Sequence, residues 1–136
     1  MNIEALYQIY SSNYLITTDT RAIKRDSIFF SLQGDHFNGN KFAEKAIQKG
    51  AKYAIIDDTN YQIKGKTILV NNVLETLQKL ANYHRRQLNI PILAITGSNG
   101  KTTTNELIHA VLKTQFNTGA TIGNLNNHIG VPLTLL

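Results

Sequence analysis

The chain has 136 residues with no cysteine, and its 14 Lys and Arg against 9 Asp and Glu leave a formal net charge of +5. The lack of cysteine rules out disulfides, thiolate metal sites and cysteine nucleophiles, while 42% hydrophobic and 17% charged residues describe a folding chain rather than a disordered one. No run approaches the roughly 20 apolar residues of a membrane-spanning helix, so no membrane insertion is expected, and the positive charge suits anionic partners, either nucleotide phosphates or nucleic acid.

Ile3, Leu6, Tyr7 and Tyr10 share one helical face, which predicts a short amphipathic helix over 3–11. No basic start followed by an apolar run precedes it, so no secretory signal is expected and the cytoplasm is the expected location. Residues 14–18 and 27–32 are rich in β-branched and aromatic side chains and predict strands. Residues 33–40 are full of turn formers and read as a loop. A helix is expected over 41–49, with Phe42, Ala46 and Ile47 inward and Gly50 in the left-handed terminating position. Strands follow at 52–57 and 67–70. Asn72 with Glu75 three residues on predicts a capping box opening a helix to about Leu88, whose apolar face is Val73, Leu74, Leu77, Leu80, Ala81 and Leu88. After a joint at 89–91, Ile92–Ile95 predicts a buried strand, 101–114 a helix and 116–121 a further strand. Alternating strands and helices indicate an α/β architecture. A small N-terminal α/β domain over 1–88 is expected to lead into the start of a second domain over 89–136. The chain stops in an apolar run, Val131–Leu136, whose proline suits the first turn of a helix. That predicts a piece of a longer protein.

The chemistry concentrates at Thr96-Gly97-Ser98-Asn99-Gly100-Lys101-Thr102-Thr103. A strand that ends in a glycine-bearing turn and reverses into a helix aims successive backbone N–H groups and the helix N-terminus at one spot, which favours anions. Gly97 and Gly100 allow conformations and a closeness of approach that a side chain obstructs. Lys101 is placed to reach the β- and γ-phosphates of ATP, and the Thr102 hydroxyl to meet Mg²⁺. The full phosphate-loop pattern has a glycine at the position of Ile95, so this chain carries a shortened form.

That shortened loop, Ile95 to Thr103, resembles the ATP loop of the Mur ligases, which build the peptide stem of bacterial cell-wall precursors. Two other segments carry the resemblance over nearly the whole chain. Asp19-Thr20-Arg21 followed by Ile28–Gly34 is similar to the family's domain for the UDP end of the substrate. Gly123–Thr134 looks like the branch that joins D-alanyl-D-alanine to UDP-N-acetylmuramoyl-tripeptide. The family pattern Gly-x-x-Phe-Asp-Gly-His-x-Phe is altered here: Asn38 and Asn40 stand in place of the aspartate and the histidine.

The resemblance implies an ATP-dependent amide ligase working through an acyl phosphate, with ATP and Mg²⁺ as cofactors and a monomer as the working form. It implies Lys101 as the catalytic cation, Gly97, Ser98, Asn99, Gly100, Thr102 and Thr103 around the nucleotide, and Thr102 on the metal. Thr20, Arg21 and Ser31 are implied for the uridine diphosphate, since an Arg fork pairs well with phosphate. Asn126 and Asn127 are implied for the sugar or peptide of the substrate. The remaining acidic metal ligands, a carbamylated lysine and a third domain have no counterpart in the sequence, so the expectation is binding without turnover. Other readings stay open: a different ligase of the superfamily such as folylpolyglutamate synthase, a UDP-sugar-binding module alone, or a basic nucleic-acid module. The last lacks any basic run or nucleic-acid motif. The four histidines lack metal-ligand spacing. His84-Arg85-Arg86, late in its helix, is expected to be solvated and to complement the helix dipole. Tyr7, Tyr10, Tyr14, Phe29 and Phe30 are expected in the core.

Overall fold

The computed structural model describes residues 1–123 and 125–136. Helix α1 (Ile3–Ser11) starts where the Asn2 side chain accepts from the Ala5 N–H, and it buries Leu6 and Tyr10. Four strands follow in order along the chain: β1 (Ile16–Thr17), β2 (Ile28–Phe30), and then, past a small hairpin, β5 (Tyr53–Ile56) and β6 (Thr67–Leu69). They form one parallel sheet in the order β1-β2-β5-β6, with Ile16 opposite Ile28, Phe30 opposite Ile55 and Ile56 opposite Leu69. The hairpin comprises β3 (Gln33–Gly34) and β4 (Phe37–Asn38), and it stands where the sequence predicts only a loop.

All three residues of β2 are buried, as a sheet covered on both faces requires. Ile28 and Phe30 point to one side, into a core shared with α1 and with α3 (Val73–Gln87). Phe29 points to the other, where Ala43 and Ala46 of α2 (Ala43–Gln48) meet Ala54. Alanine at these positions lets α2 lie close against the sheet. Gly50 follows with φ +107°, the left-handed terminating position its place in the sequence predicts.

Helix α3 begins at Asn72, whose side-chain oxygen accepts from the Glu75 N–H at 2.8 Å. The box is not reciprocal, because Glu75 pairs forward with Lys79 at 2.7 Å. Its buried face is Val73, Leu77, Leu80, Ala81 and His84, with Leu74 and Leu88 half-buried. The expectation of a solvated His84 is therefore corrected: its ring packs among tyrosines. Tyr14, expected in the core, is largely exposed, since the chain turns there with φ +52°.

Helix α4 (Lys101–Leu112) and helix α5 (Gly130–Leu135) complete the chain. Residues 92–95 and 116–121 do not form strands, and Leu93 and Phe116 are about two-thirds exposed. A strand exists through its ladder, and no neighbouring strand lies beside either segment among the described residues. Helix α5 packs against α3, and Leu133 and Leu136 join the core on the α1–α3 side of the sheet.

Candidate functional site

Two regions carry chemistry. The first is the turn from Thr96 into α4. Gly97 has φ +152° and Gly100 φ +77°, both in the range that glycine adopts freely. Gly100 is the N-cap, so no side chain caps the helix, and no acidic residue lies in its first turn. The first N–H groups of α4 are thus left open to an anion, in the favourable field of the helix N-terminus. The ammonium of Lys101 folds back over the turn and donates to the Gly97 carbonyl at 2.7 Å. Ser98, Asn99, Thr102 and Thr103 are exposed around it. This set of donors fits a polyphosphate. For Mg²⁺ the turn offers the Thr102 hydroxyl, and among the described residues no group of three His, Asp or Glu could hold a metal ion by itself.

The second region is a cleft of about 460 Å³ just past the end of β1 and against Phe29 of β2, a size suited to a small organic ligand. Its polar rim is Thr18, Asp19, Thr20 and Arg21, and its apolar wall is Phe29, Phe37 and Phe42. The rings of Phe37 and Phe42 stack with centroids 5.5 Å apart and planes 14° from parallel. Arg21 grips Asp19 through Nε and Nη2, the latter at 2.6 Å. Hydrogen bonds from that side chain hold the Asp19 carboxyl down at about 2. The guanidinium remains highly exposed, so one edge of its fork faces solvent at the cleft. Lys49, just past α2, donates to the Thr20 carbonyl at 2.8 Å and steadies the rim.

Ser31 is placed differently. It is fully buried, and its single hydroxyl proton is shared between the Ile55 carbonyl and, at 3.1 Å, Asn40 Oδ1. It sits in the frame behind the cleft, with no surface for a ligand. Asn40, also fully buried, takes the histidine's place in the motif and satisfies all its amide valences. Its oxygen accepts from the Asp57 N–H at 3.1 Å as well as from Ser31. Its nitrogen donates to Asn38 Oδ1 at 3.0 Å and to Asp57 Oδ1 at 2.8 Å. The same Asn38 oxygen caps the turn after it by accepting from the Asn40 N–H.

In the third motif, Asn126 and Asn127 are exposed, and Asn124 lies outside the described residues. The Asn127 oxygen accepts from the Ile129 and Gly130 N–H groups, so it caps the entry to α5. The sequence reading missed Phe37 and Phe42 as cleft residues. The available signal was two aromatics flanking a Gly- and Asn-rich turn, an unusual place for apolar side chains.

Comparison with known proteins sharpens this geometry. Residues 13–94 match the model described as "Mur ligase family, catalytic domain", and residues 95–136 match "Mur ligase middle domain". A UDP-N-acetylmuramoyl-tripeptide–D-alanyl-D-alanine ligase of Bacillus subtilis is 42% identical over 123 residues, 89% of this chain and 27% of that protein. Among solved structures, MurF from Acinetobacter baumannii aligns with TM-score 0.81 at 29% identity, covering 98% of this chain and 32% of the other. MurF ligase from Thermotoga maritima in complex with ADP aligns with TM-score 0.78 at 28% identity, covering 89% and 28%. The chain thus spans little more than a quarter of the length of the curated relatives it matches.

Proposed function

The chain belongs to the Mur ligase family, and from that premise we propose that it supplies the UDP-substrate cleft and the ATP loop of a ligase joining D-alanyl-D-alanine to UDP-N-acetylmuramoyl-tripeptide in peptidoglycan precursor assembly. The observation that carries the reading is the turn at Gly97–Thr103, where two glycines in permissive conformations open an uncapped helix N-terminus beneath Lys101. A relative bearing that ligase name, similar over 89% of the chain, supports the choice of reaction. The cytoplasm, where the nucleotide substrates are found, is the proposed location.

In such a reaction a carboxylate oxygen of the tripeptide takes the γ-phosphoryl of ATP, releasing ADP, and the amine of D-alanyl-D-alanine then displaces phosphate from the acyl carbon. Charge builds on the phosphoryl oxygens, so positioned cations and backbone dipoles supply most of the stabilisation. In this chain the open N–H groups of α4 receive phosphate oxygens and Lys101 adds a point charge. Thr102 is the residue here that would hold Mg²⁺, which when bound would supply further charge neutralisation. At the other region, the stacked Phe37 and Phe42 offer a flat apolar wall for a nucleobase, and the outer edge of Arg21 a donor pair for the diphosphate.

Calorimetric titration of the chain with UDP-N-acetylmuramoyl-tripeptide, with ATP and with folate tests the reading. Saturable binding of the first two and none of folate is expected; folate binding with no response to the UDP compound would overturn it. Because the chain spans 27% of its Bacillus relative, the 136 residues alone are expected to bind both nucleotides and release no ligated product.

A further inference from the structure

Within the Phe37–Phe42 wall, Phe42 packs against the Phe29, Ala43 and Ala54 cluster, while Phe37 is about half exposed. The wall is carried by residues 33–42, a hairpin and turn that are only partly covered by the rest of the chain. Besides the packing of Phe42, two further devices tie that segment down. Gly39 crosses the chain so closely that a Cβ there would lie 2.3 Å from the Leu32 carbonyl oxygen. Beside it, Asn40 plugs into the end of β5. Asp57, the residue after β5, gathers three donors from three parts of the fold: Gln33 Nε2 at 2.5 Å, Asn40 Nδ2 at 2.8 Å and the Val73 N–H at 3.1 Å. Burial alone raises the Asp57 pKa, but these hydrogen bonds outweigh it and leave the carboxyl below its ordinary value. It is therefore ionised at neutral pH, and bonds to a charged acceptor are the strong ones.

We propose that Asn40 and Asp57 are positioning residues for the uridine-diphosphate cleft, locking residues 33–42 to β5 and to the start of α3 so that Phe37 and Phe42 form its wall. Neither residue lines the cleft. Both act through the stacked rings, because a wall displaced by a fraction of its own thickness no longer meets a flat ligand. The proposal rests on the cleft reading given above for its ligand, although the clamp itself is independent of it.

The experiment takes the 136-residue chain, measures its Kd for UDP by calorimetry, and follows the ring-to-ring Overhauser contact between Phe37 and Phe42 by NMR. Asp57→Asn replaces an acceptor oxygen by a donor facing other donors. It is expected to raise the Kd about tenfold and to abolish the ring contact, while the amide signals of β2, β5 and α3 persist. Gln33→Ala removes one donor from the exposed end of the same carboxylate and decides the matter should Asp57→Asn fail to fold. It is expected to raise the Kd about threefold and weaken the ring contact. An unchanged Kd together with an intact ring contact in the folded variants would overturn the clamp. If the unaltered chain binds no UDP, the cleft reading fails instead, and the ring contact alone still decides whether Asp57 holds the wall.

Discussion

The Tyr7 hydroxyl lies 3.2 Å from Nδ1 of His84, joining α1 to α3 across 77 positions of sequence. Tyr10 meets the same imidazole edge-on at 5.3 Å, and Tyr14 closes its third side at 5.9 Å. The residue is 8% exposed. Burial lowers its pKa below the usual histidine value, so the fold holds it neutral.

That relationship makes stability pH-dependent in a defined sense. The unfolded chain takes up a proton near pH 6.5 while the folded chain resists, so stability is full above pH 6.5 and falls as the pH drops toward the lower folded value. Thermal melts should give a lower Tm at pH 5 than at pH 7. His84→Gln should shrink that difference, and an unchanged slope in the variant would remove His84 as its source. Asp19 and Asp57 contribute in a separate window, below about pH 4, because their folded pKa values are depressed carboxylate values.

Gly39→Ala should destabilise the chain by about 1–3 kcal/mol, the usual cost of forcing a methyl group into filled space. Here the obstruction is the Leu32 and Ser31 backbone, which cannot rotate away as a side chain can. Chemical denaturation checks the value. A midpoint shift near zero would mean that the 33–42 crossing relaxes freely.

Phe37→Ala should separate binding from stability. The side chain is about half exposed, so its loss should change the unfolding free energy by no more than about 0.5 kcal/mol. Loss of a stacking face is worth about 1–3 kcal/mol to a bound base, so UDP should bind roughly tenfold more weakly. Equal affinity in variant and parent would place the nucleobase elsewhere.

Lys101→Ala should weaken ATP binding by the chain and, in the complete ligase, lower kcat by about 10²–10³. The UDP-substrate affinity should not move, since among the described residues the Lys101 ammonium donates to its own loop, at the Gly97 carbonyl. A near-normal kcat would remove Lys101 from the chemistry.

Much of the frame is legible in the sequence. The spans of α1, α2, α3 and α4, the buried run Ile28–Phe30 and the left-handed Gly50 all follow from local periodicity and backbone preference. So does the glycine-bearing turn into α4, because Gly97 and Gly100 act through their own backbone. The strand expected at 92–95 shows the limit of the same reasoning. Its apolar residues have the right composition, but a strand is completed by a neighbour, and Leu93 stands exposed without one.

What the tertiary structure alone decided is the behaviour of residues whose partners lie far along the chain. In sequence, His84 reads as a solvated helix-end cation; α1 folded across it makes it a buried neutral base. Ser31 reads as a ligand contact; β5 beside it turns its hydroxyl inward to Ile55. Asn40 reads as a departure from a motif, and Asp57, 17 residues on, supplies the carboxylate that gives its amide a purpose. Backbone conformation is set by neighbours within a few positions and can be read from them. The protonation, burial and aim of a polar side chain depend on which distant surface closes over it, and only the folded chain brings that surface near.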